Sequence, residues 1–416
     1  MSEQVQFTFV NYKEGWYILL GEKQADCFYI IREGKVRTTK EVLVVGEKDE
    51  ILGPGDLFGV VSTLSNRNHI ETAQAITDVS LIAIPQHQYT ALIQNNVPIA
   101  IKIIKQFSRQ LRQLNETLAS LTLKNTSEID PSHLFDVAEY YYKQKQLSLA
   151  AYAYAQFINY CPSSSNIMTA SKNITEIRSK IVVEKTDFKD QDMNRKYSKN
   201  TMLFAEGEPG EEVFILQKGS LKITKIVDNN EVMLAMLNPG DIVGEMALLE
   251  GKPRTACAIA YEDCSVMAIN KKNFEMMIGT QPQLVARITI LLAERIWFVY
   301  KKLINTLLDD PLCRLLDMLY IQLEKNRVPM NESSSYTFNI GPKELVNMVG
   351  LPEAEGIRVL NKIVKNKTVL IADGKIKIGS VKELVRQTEF YRRLDKIAKN
   401  KDQLNRSRTS PLGSIG

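Results

Sequence analysis

The sequence predicts a multidomain α+β protein. It has two β jelly-roll domains, each closed by a long helix, a helical linker between them and a winged helix-turn-helix at the C-terminal end. Three observations predict it: a pair of motifs recurs at a constant offset of 185 residues, helical periodicity fills the space between the copies, and helix-turn-helix punctuation with a hairpin comes after the second copy. At 416 residues, and about 150 residues per domain, two to four domains are expected.

The repeat is read first. Phe28-Tyr29-Ile30-Ile31-Arg32-Glu33-Gly34 matches Val213-Phe214-Ile215-Leu216-Gln217-Lys218-Gly219, and Leu52-Gly53-Pro54-Gly55-Asp56-Leu57-Phe58-Gly59 matches Leu237-Asn238-Pro239-Gly240-Asp241-Ile242-Val243-Gly244. Duplication explains a shared offset across both blocks. Short β-branched and aromatic runs punctuated by Gly and Pro-Gly turns predict a small jelly roll in each copy. Amphipathic helices are predicted to come next at 99–123 and 283–308. In the second, Ile288, Leu292, Ile296, Val299 and Leu303 form one stripe, suited to packing on its own barrel or on a partner's copy.

The boundaries drawn are 1–125 for the first β domain, 126–190 for the helical linker, 191–308 for the second β domain with its long helix, 309–385 for the winged helix and 386–416 for a basic tail. In the linker, Leu134, Val137, Ala138, Tyr141, Ala150, Tyr154, Phe157 and Pro162 keep the order of a tetratricopeptide repeat. Such a unit cannot bury its face alone, so a capping helix is expected near 166–183. A protein partner at this linker is one reading of it, a plain helical spacer the other. Past Asp310-Pro311, a helix (312–323) leads to Gly341–Gly350, then Leu351–Ile363, then a hairpin over 369–378 with Asp373-Gly374 at its tip.

Composition bounds the function. Hydrophobic residues make up 44%, enough for several ordinary cores. The start, Met1-Ser2-Glu3-Gln4, is polar, and the longest apolar stretch, 284–303, is broken by Arg287, Glu294 and Arg295; a soluble, cytoplasmic protein without a membrane span is expected. The five cysteines form no C-x-x-C pair, and the three histidines lie far apart, so no metal site is expected. Net charge is +5, with nine basic residues against four acids over 382–408: a phosphate-binding arm or a solvated helix end.

The chemistry lies in Gly244-Glu245-Met246-Ala247-Leu248-Leu249-Glu250-Gly251-Lys252-Pro253-Arg254-Thr255-Ala256. A cyclic nucleotide presents a singly charged ring phosphate, which calls for a guanidinium and backbone N–H donors, and a free ribose 2′-hydroxyl, which a carboxylate accepts. A short helix beginning near Glu245 would aim amides at the anion. This stretch resembles the phosphate-binding cassette of the cyclic-nucleotide-binding superfamily, and the resemblance covers about 197–274. It implies that Glu245 binds the ribose, that Arg254 binds the phosphate, and that Gly244, Met246, Ala247, Thr255 and Ala256 line the pocket. The resemblance leaves cAMP and cGMP open, with cAMP favoured. Trp297 and Tyr300 are candidates to stack on the base, or else core.

The first copy reads Gly59-Val60-Val61-Ser62-Thr63-Leu64-Ser65-Asn66-Arg67-Asn68-His69-Ile70-Glu71-Thr72-Ala73. Val60 replaces the ribose carboxylate. Aligned on Thr-Ala, with two extra loop residues, Glu71 stands where the arginine should be. A degenerate domain is expected, with Arg67 or His69 as the remaining source of positive charge.

β domain, long helix and winged helix together resemble the catabolite-activator (Crp/Fnr) family over about 197–385. That resemblance implies a homodimer through 283–308 and DNA as partner. Arg358, Lys362, Lys365 and Lys375 would contact DNA. The second helix, however, opens on Pro352-Glu353-Ala354-Glu355-Gly356, which lacks the Arg or Lys that commonly reads guanine. A cyclic-nucleotide-sensing signalling or scaffold protein, whose winged helix and linker bind protein, is therefore the alternative. Jelly-roll enzymes need clustered His and carboxylate ligands, which neither copy has, so no enzyme is expected.

Overall fold

A computed structural model describes residues 8–40, 50–122, 130–182, 192–227, 229–244 and 253–409. The chain forms two compact units, Met1–Tyr300 and Lys301–Gly416.

The first unit holds both repeats. Strands β1 (Thr8–Tyr12), β2 (Tyr17–Leu19), β3 (Cys27–Glu33), β4 (Val36–Lys40), β5 (Glu50–Leu52), β6 (Leu57–Phe58), β7 (Glu71–Ala75) and β8 (Val79–Pro85) make two four-stranded sheets, ordered β1-β8-β3-β6 and β2-β7-β4-β5. Strands β9 (Asn194–Tyr197), β10 (Met202–Phe204), β11 (Glu212–Lys218), β12 (Leu221–Val227), β13 (Asn230–Leu237), β14 (Ile242–Val243), β15 (Cys257–Ala260) and β16 (Cys264–Asn270) repeat that order as β14-β11-β16-β9 and β10-β15-β12-β13. Each copy is thus a β-sandwich. Its inward side chains form one core, around Phe58, Val36 and Leu81 in the first and Phe214, Leu221 and Val266 in the second.

The glycines explain why the repeat survived in sequence. At Gly34 and Gly219, φ is 87° and 78°, the left-handed region that side chains rarely enter. A Cβ there would lie 2.2 Å from the Asp78 carbonyl and 2.3 Å from the Asp263 carbonyl. The same backbone crossing is built twice, 185 residues apart.

The long helices form where periodicity predicts them. In the first copy, α1 (Val60–Ser65) and α2 (Tyr89–Asn95) precede α3 (Val97–Thr122). Among the described residues of the linker are three helices, α4 (His133–Lys143), α5 (Leu147–Tyr160) and α6 (Ile167–Lys180). Leu134, Val137, Ala138, Tyr141, Ala150, Tyr154 and Phe157 are buried there, and they share one cluster with Met202, Ala205, Ile226, Cys257 and Ile259 of the second sandwich. Polar groups join the same seam. Tyr141 Oη donates to Glu231 at 2.9 Å, and Tyr140 Oη accepts the Glu231 amide at 3.2 Å. The second copy ends in α7 (Lys271–Thr280) and α8 (Pro282–Thr306).

The second unit is mixed α/β. It contains α9 (Pro311–Lys325), β17 (Tyr336–Thr337), α10 (Pro342–Met348), α11 (Glu353–Lys365), β18 (Val369–Ala372), β19 (Lys375–Ile378) and α12 (Val381–Thr409). Asp310 caps α9 by accepting the Leu312 amide, with Pro311 at the first turn. The β18–β19 hairpin turns on Asp373 and Gly374, at φ 51° and 73°; a two-residue loop with both φ positive suits the strand twist. Gly356 has a packing role. A Cβ there would meet Val346 Cγ1 at 2.3 Å, so the glycine lets α11 press onto α10. α12 runs through the 385/386 boundary drawn from charge. Its Leu384, Thr388 and Asp395 are buried, and Arg392 pairs with the buried Asp317.

Candidate functional site

Arg254 lies in the turn before β15, and its residue is 5% exposed. Its guanidinium sits 4.3 Å from the Phe204 ring centroid and 5.8 Å from that of Phe214, where ring quadrupoles favour a cation. Nη1 donates to the Gly244 carbonyl at 2.6 Å. A Cβ at Gly210 or Gly244 would come within 2.4 Å of the guanidinium, so two glycines make room for it. The main chain fixes the turn. The Arg254 amide donates to the Glu208 carbonyl and the Gly207 amide to the Arg254 carbonyl, both at 2.8 Å.

The structure therefore brings together Gly244 and Arg254, ten residues apart in sequence. Thr255 and the buried Ala256 lead from the arginine into β15. Glu245, Met246 and Ala247, with the short helix expected to begin near Glu245, lie outside the described residues. Tyr300 is buried. Trp297, 2% exposed, is placed against the first copy: its Nε1 donates to the Asn68 carbonyl at 3.3 Å, and the Arg67 guanidinium lies 5.1 Å from its ring. Nearer the site, Arg295 Nη1 of α8 donates to the Ile242 carbonyl, two residues before Gly244.

Sequence reasoning missed Glu208 and Tyr152. Tyr152 Oη of α5 lies 3.1 Å from both carboxylate oxygens of Glu208, and Glu208 Oε2 accepts the Ala205 amide at 2.9 Å. Burial pushes the Glu208 carboxyl up to about 7, against the pull of that amide, of Arg254 and of Tyr152. The Gly207-Glu208-Pro209-Gly210 turn was the only local signal, and a turn does not announce a site.

The first copy corrects one alignment. In the β4–β7 ladder Val36 faces Ala75, and in the β12–β15 ladder Leu221 faces Ala260: the offset stays 185 through the strand, without two extra residues. His69, not Glu71, occupies the Arg254 position. Its backbone makes the equivalent bonds, the His69 amide to the Lys23 carbonyl at 2.7 Å and the Glu22 amide to the His69 carbonyl at 2.9 Å. His69 is buried, which pushes its pKa down and keeps it neutral. Glu71, at the Ala256 position, turns back so that its Oε1 accepts the Gly59 amide at 2.6 Å.

These two glycine turns, at equivalent places in equivalent sandwiches, are where comparison with known proteins becomes informative. The family profile described as cyclic nucleotide-binding domain matches residues 9–96 and 194–281. The chain carries two cyclic nucleotide-binding domains. Bacterial regulators are homologous to this chain over a little under half its length. The cAMP-activated global transcriptional regulator CRP of Escherichia coli O157:H7 is 29% identical over 182 residues, covering 43% of this chain and 86% of that protein. The cyclic AMP receptor protein of Thermus thermophilus is 24% identical over 191 residues, 44% of this chain and 82% of that protein. Among solved structures, the c-di-GMP responsive global regulator CLP of Xanthomonas campestris is 22% identical with a TM-score of 0.38, covering 44% of this chain and 92% of that one. FixK2 of Bradyrhizobium japonicum is 18% identical with a TM-score of 0.38, covering 46% and 95%. The homologues of these cyclic nucleotide-binding domains are regulators, not enzymes.

The second unit holds the candidate DNA contacts. Arg358, Lys362 and Lys365 lie along α11, and Lys375 is exposed on the hairpin, its Nζ 2.9 Å from Asn339 Oδ1. At the start of α11, Glu353 pairs with Lys343 at 2.9 Å. Among the described residues no group of His, Cys, Asp and Glu could hold a metal ion, and no helix is long and apolar enough to cross a membrane.

Proposed function

We propose that this protein is a cyclic-nucleotide-responsive transcriptional regulator. Its second β domain binds cAMP (or cGMP), and the first binds none. The observation that carries the reading is the buried Arg254 guanidinium seated at the Gly244 carbonyl. A cyclic phosphate arriving there offers the guanidinium a full negative charge, a charge-assisted pair in a dry site. Glu245 takes the ribose hydroxyl; Met246, Ala247, Thr255 and Ala256 complete the pocket. Of the two aromatic candidates for the base, Trp297 is engaged by Asn68 and Arg67 and Tyr300 is buried. That one curated relative is described as cAMP-activated and another as a cyclic AMP receptor favours cAMP.

The output passes through α8. Arg295 ties that helix to the strand leading into Gly244, so ligand shifts the balance between arrangements of α8. A homodimer fits the family the chain resembles, but not through the α8 stripe expected from the sequence, because Ile288, Leu292, Ile296, Val299 and Leu303 are already buried within one chain. α10, α11 and the β18–β19 hairpin act as a winged helix-turn-helix, with Arg358, Lys362, Lys365 and Lys375 on DNA. α4–α6 serve as a tetratricopeptide-like linker.

A second reading has its own observation. Glu353 and Glu355 open α11, and Lys343 is paired with Glu353; an anionic first turn suits a protein partner better than a phosphate-lined groove. Titration with cAMP and cGMP, then duplex binding over a salt series, separates the two. Ligand-enhanced binding with a steep salt slope supports the regulator. Ligand binding without duplex binding supports the scaffold. Failure of both nucleotides to bind refutes the sensor.

A further inference from the structure

The helical linker meets the second sandwich beside the arginine turn. Tyr152 projects from the middle of α5, with its hydroxyl 3.1 Å from the Leu203 carbonyl and from both Glu208 oxygens. The main chain of Glu208 pairs with that of Arg254, and the electrostatic pull between the two side chains is felt at Glu208. The linker thus holds an acid next to the cation of the site. At the same position the first copy has Lys23, in the same backbone pairing with His69.

We propose that Tyr152 is a positioning residue through which the helical linker lowers the ligand affinity of the second domain, by holding the Glu208 carboxylate against Arg254. The inference rests on the reading of Arg254 as the phosphate partner. Its physics is competition. A carboxylate beside a guanidinium takes up part of its field, and an arriving phosphate adds a second anion to the same small space. A phenol O–H donating to a carboxylate favours the ionised form, so Tyr152 keeps the competitor charged. Displacing the linker, as a partner bound to α4–α6 would do, releases that restraint.

The competition leaves a pH signature. The groups facing Glu208 are Tyr152 and Tyr160 from α5, Arg254, Glu212 from β11 and Cys257 from β15. Burial pushes both tyrosines and the cysteine up, so they stay neutral, and Glu212 is paired with Arg195. Glu208 is left to titrate near neutrality, at about 7. A bound phosphate raises its proton affinity further. By linkage, binding takes up protons, and affinity falls as pH rises through that value.

The test is calorimetric titration of the full chain with cAMP, about one pH unit below and above that midpoint. Tyr152→Phe keeps the ring and removes the donor; it is expected to bind cAMP on the order of fivefold more tightly at the higher pH, with the decline displaced upward. Glu208→Gln is expected to bind more tightly and lose the pH dependence, and adding Tyr152→Phe to it should change nothing further. Unchanged or weaker binding by Tyr152→Phe with an unmoved pH profile overturns the proposal, as does an equal gain in the Glu208→Gln background. Arg254→Ala is the separate control. If it binds as the wild type does, the site reading itself fails and this inference with it; if it loses binding while Tyr152→Phe is silent, only the inference fails.

Discussion

The two sandwiches share strand order, ladder register and glycine turns, yet differ in the side chains around the turn before β15 and its counterpart before β7. Both keep the glycine (Gly244, Gly59), but where the second has Arg254, Ala256 and Glu208 the first has His69, Glu71 and Lys23 at the same offset. In the second, a guanidinium donates to the glycine carbonyl; in the first, a carboxylate accepts the glycine amide. Glu71 puts an anion of the protein's own onto the Gly59 amide. Backbone crossings thus preserve the sandwich, while the site is a thin layer of side chains that can be inverted without disturbing it.

The largest effect expected to set the copies apart is at the arginine. Arg254→Ala should weaken cyclic-nucleotide binding by about 2–5 kcal/mol, the usual cost of removing one partner from a buried charge pair, with Arg254→Lys intermediate because it loses the planar fork. Titration calorimetry reads both, and unaltered binding in the alanine variant would end the assignment. Next come Gly34→Ala and Gly219→Ala. Each drives a Cβ into a carbonyl from a left-handed backbone and should cost about 2–4 kcal/mol of stability in chemical denaturation. The two costs should be similar; a tolerant first copy would mean its crossing has relaxed.

How far the sequence could carry this reading depends on what is local. The constant offset was legible because positive φ and close carbonyl approach demand glycine, and glycine leaves a mark in sequence. The pairing of Gly244 with Arg254 was legible because one short loop holds both. The first-copy alignment went astray because Thr72-Ala73 and Thr255-Ala256 look alike; what overrules that likeness is the ladder, in which Val36 faces Ala75 across the sheet. Tyr152 and Glu208 lie 56 residues apart, and no periodicity connects them. The packing role of Gly356 leaves no mark in sequence, because only the fold shows Val346 against it.

A smaller effect probes the two copies from the other side. Transplanting the second copy's chemistry into the first, as Val60→Glu, His69→Arg and Glu71→Ala, frees the Gly59 amide and supplies both a cation and a ribose acceptor. The calorimetric stoichiometry for cAMP should rise from one to two, the new site being the weaker. A stoichiometry that stays at one would place the lost function outside these three positions.

The smallest expected change in binding is at Trp297, where the copies meet. Its indole is engaged by the first copy's Asn68 carbonyl and Arg67 guanidinium, on the loop that leads into His69. Trp297→Phe keeps a buried aromatic ring and deletes the N–H donor. It should cost about 1 kcal/mol of stability for the lost hydrogen bond while leaving cAMP affinity within about twofold, a change of less than about 0.5 kcal/mol. A large loss of affinity with little loss of stability would instead make this residue a lid on the base, and the first domain's loop would then be the part that holds the lid shut.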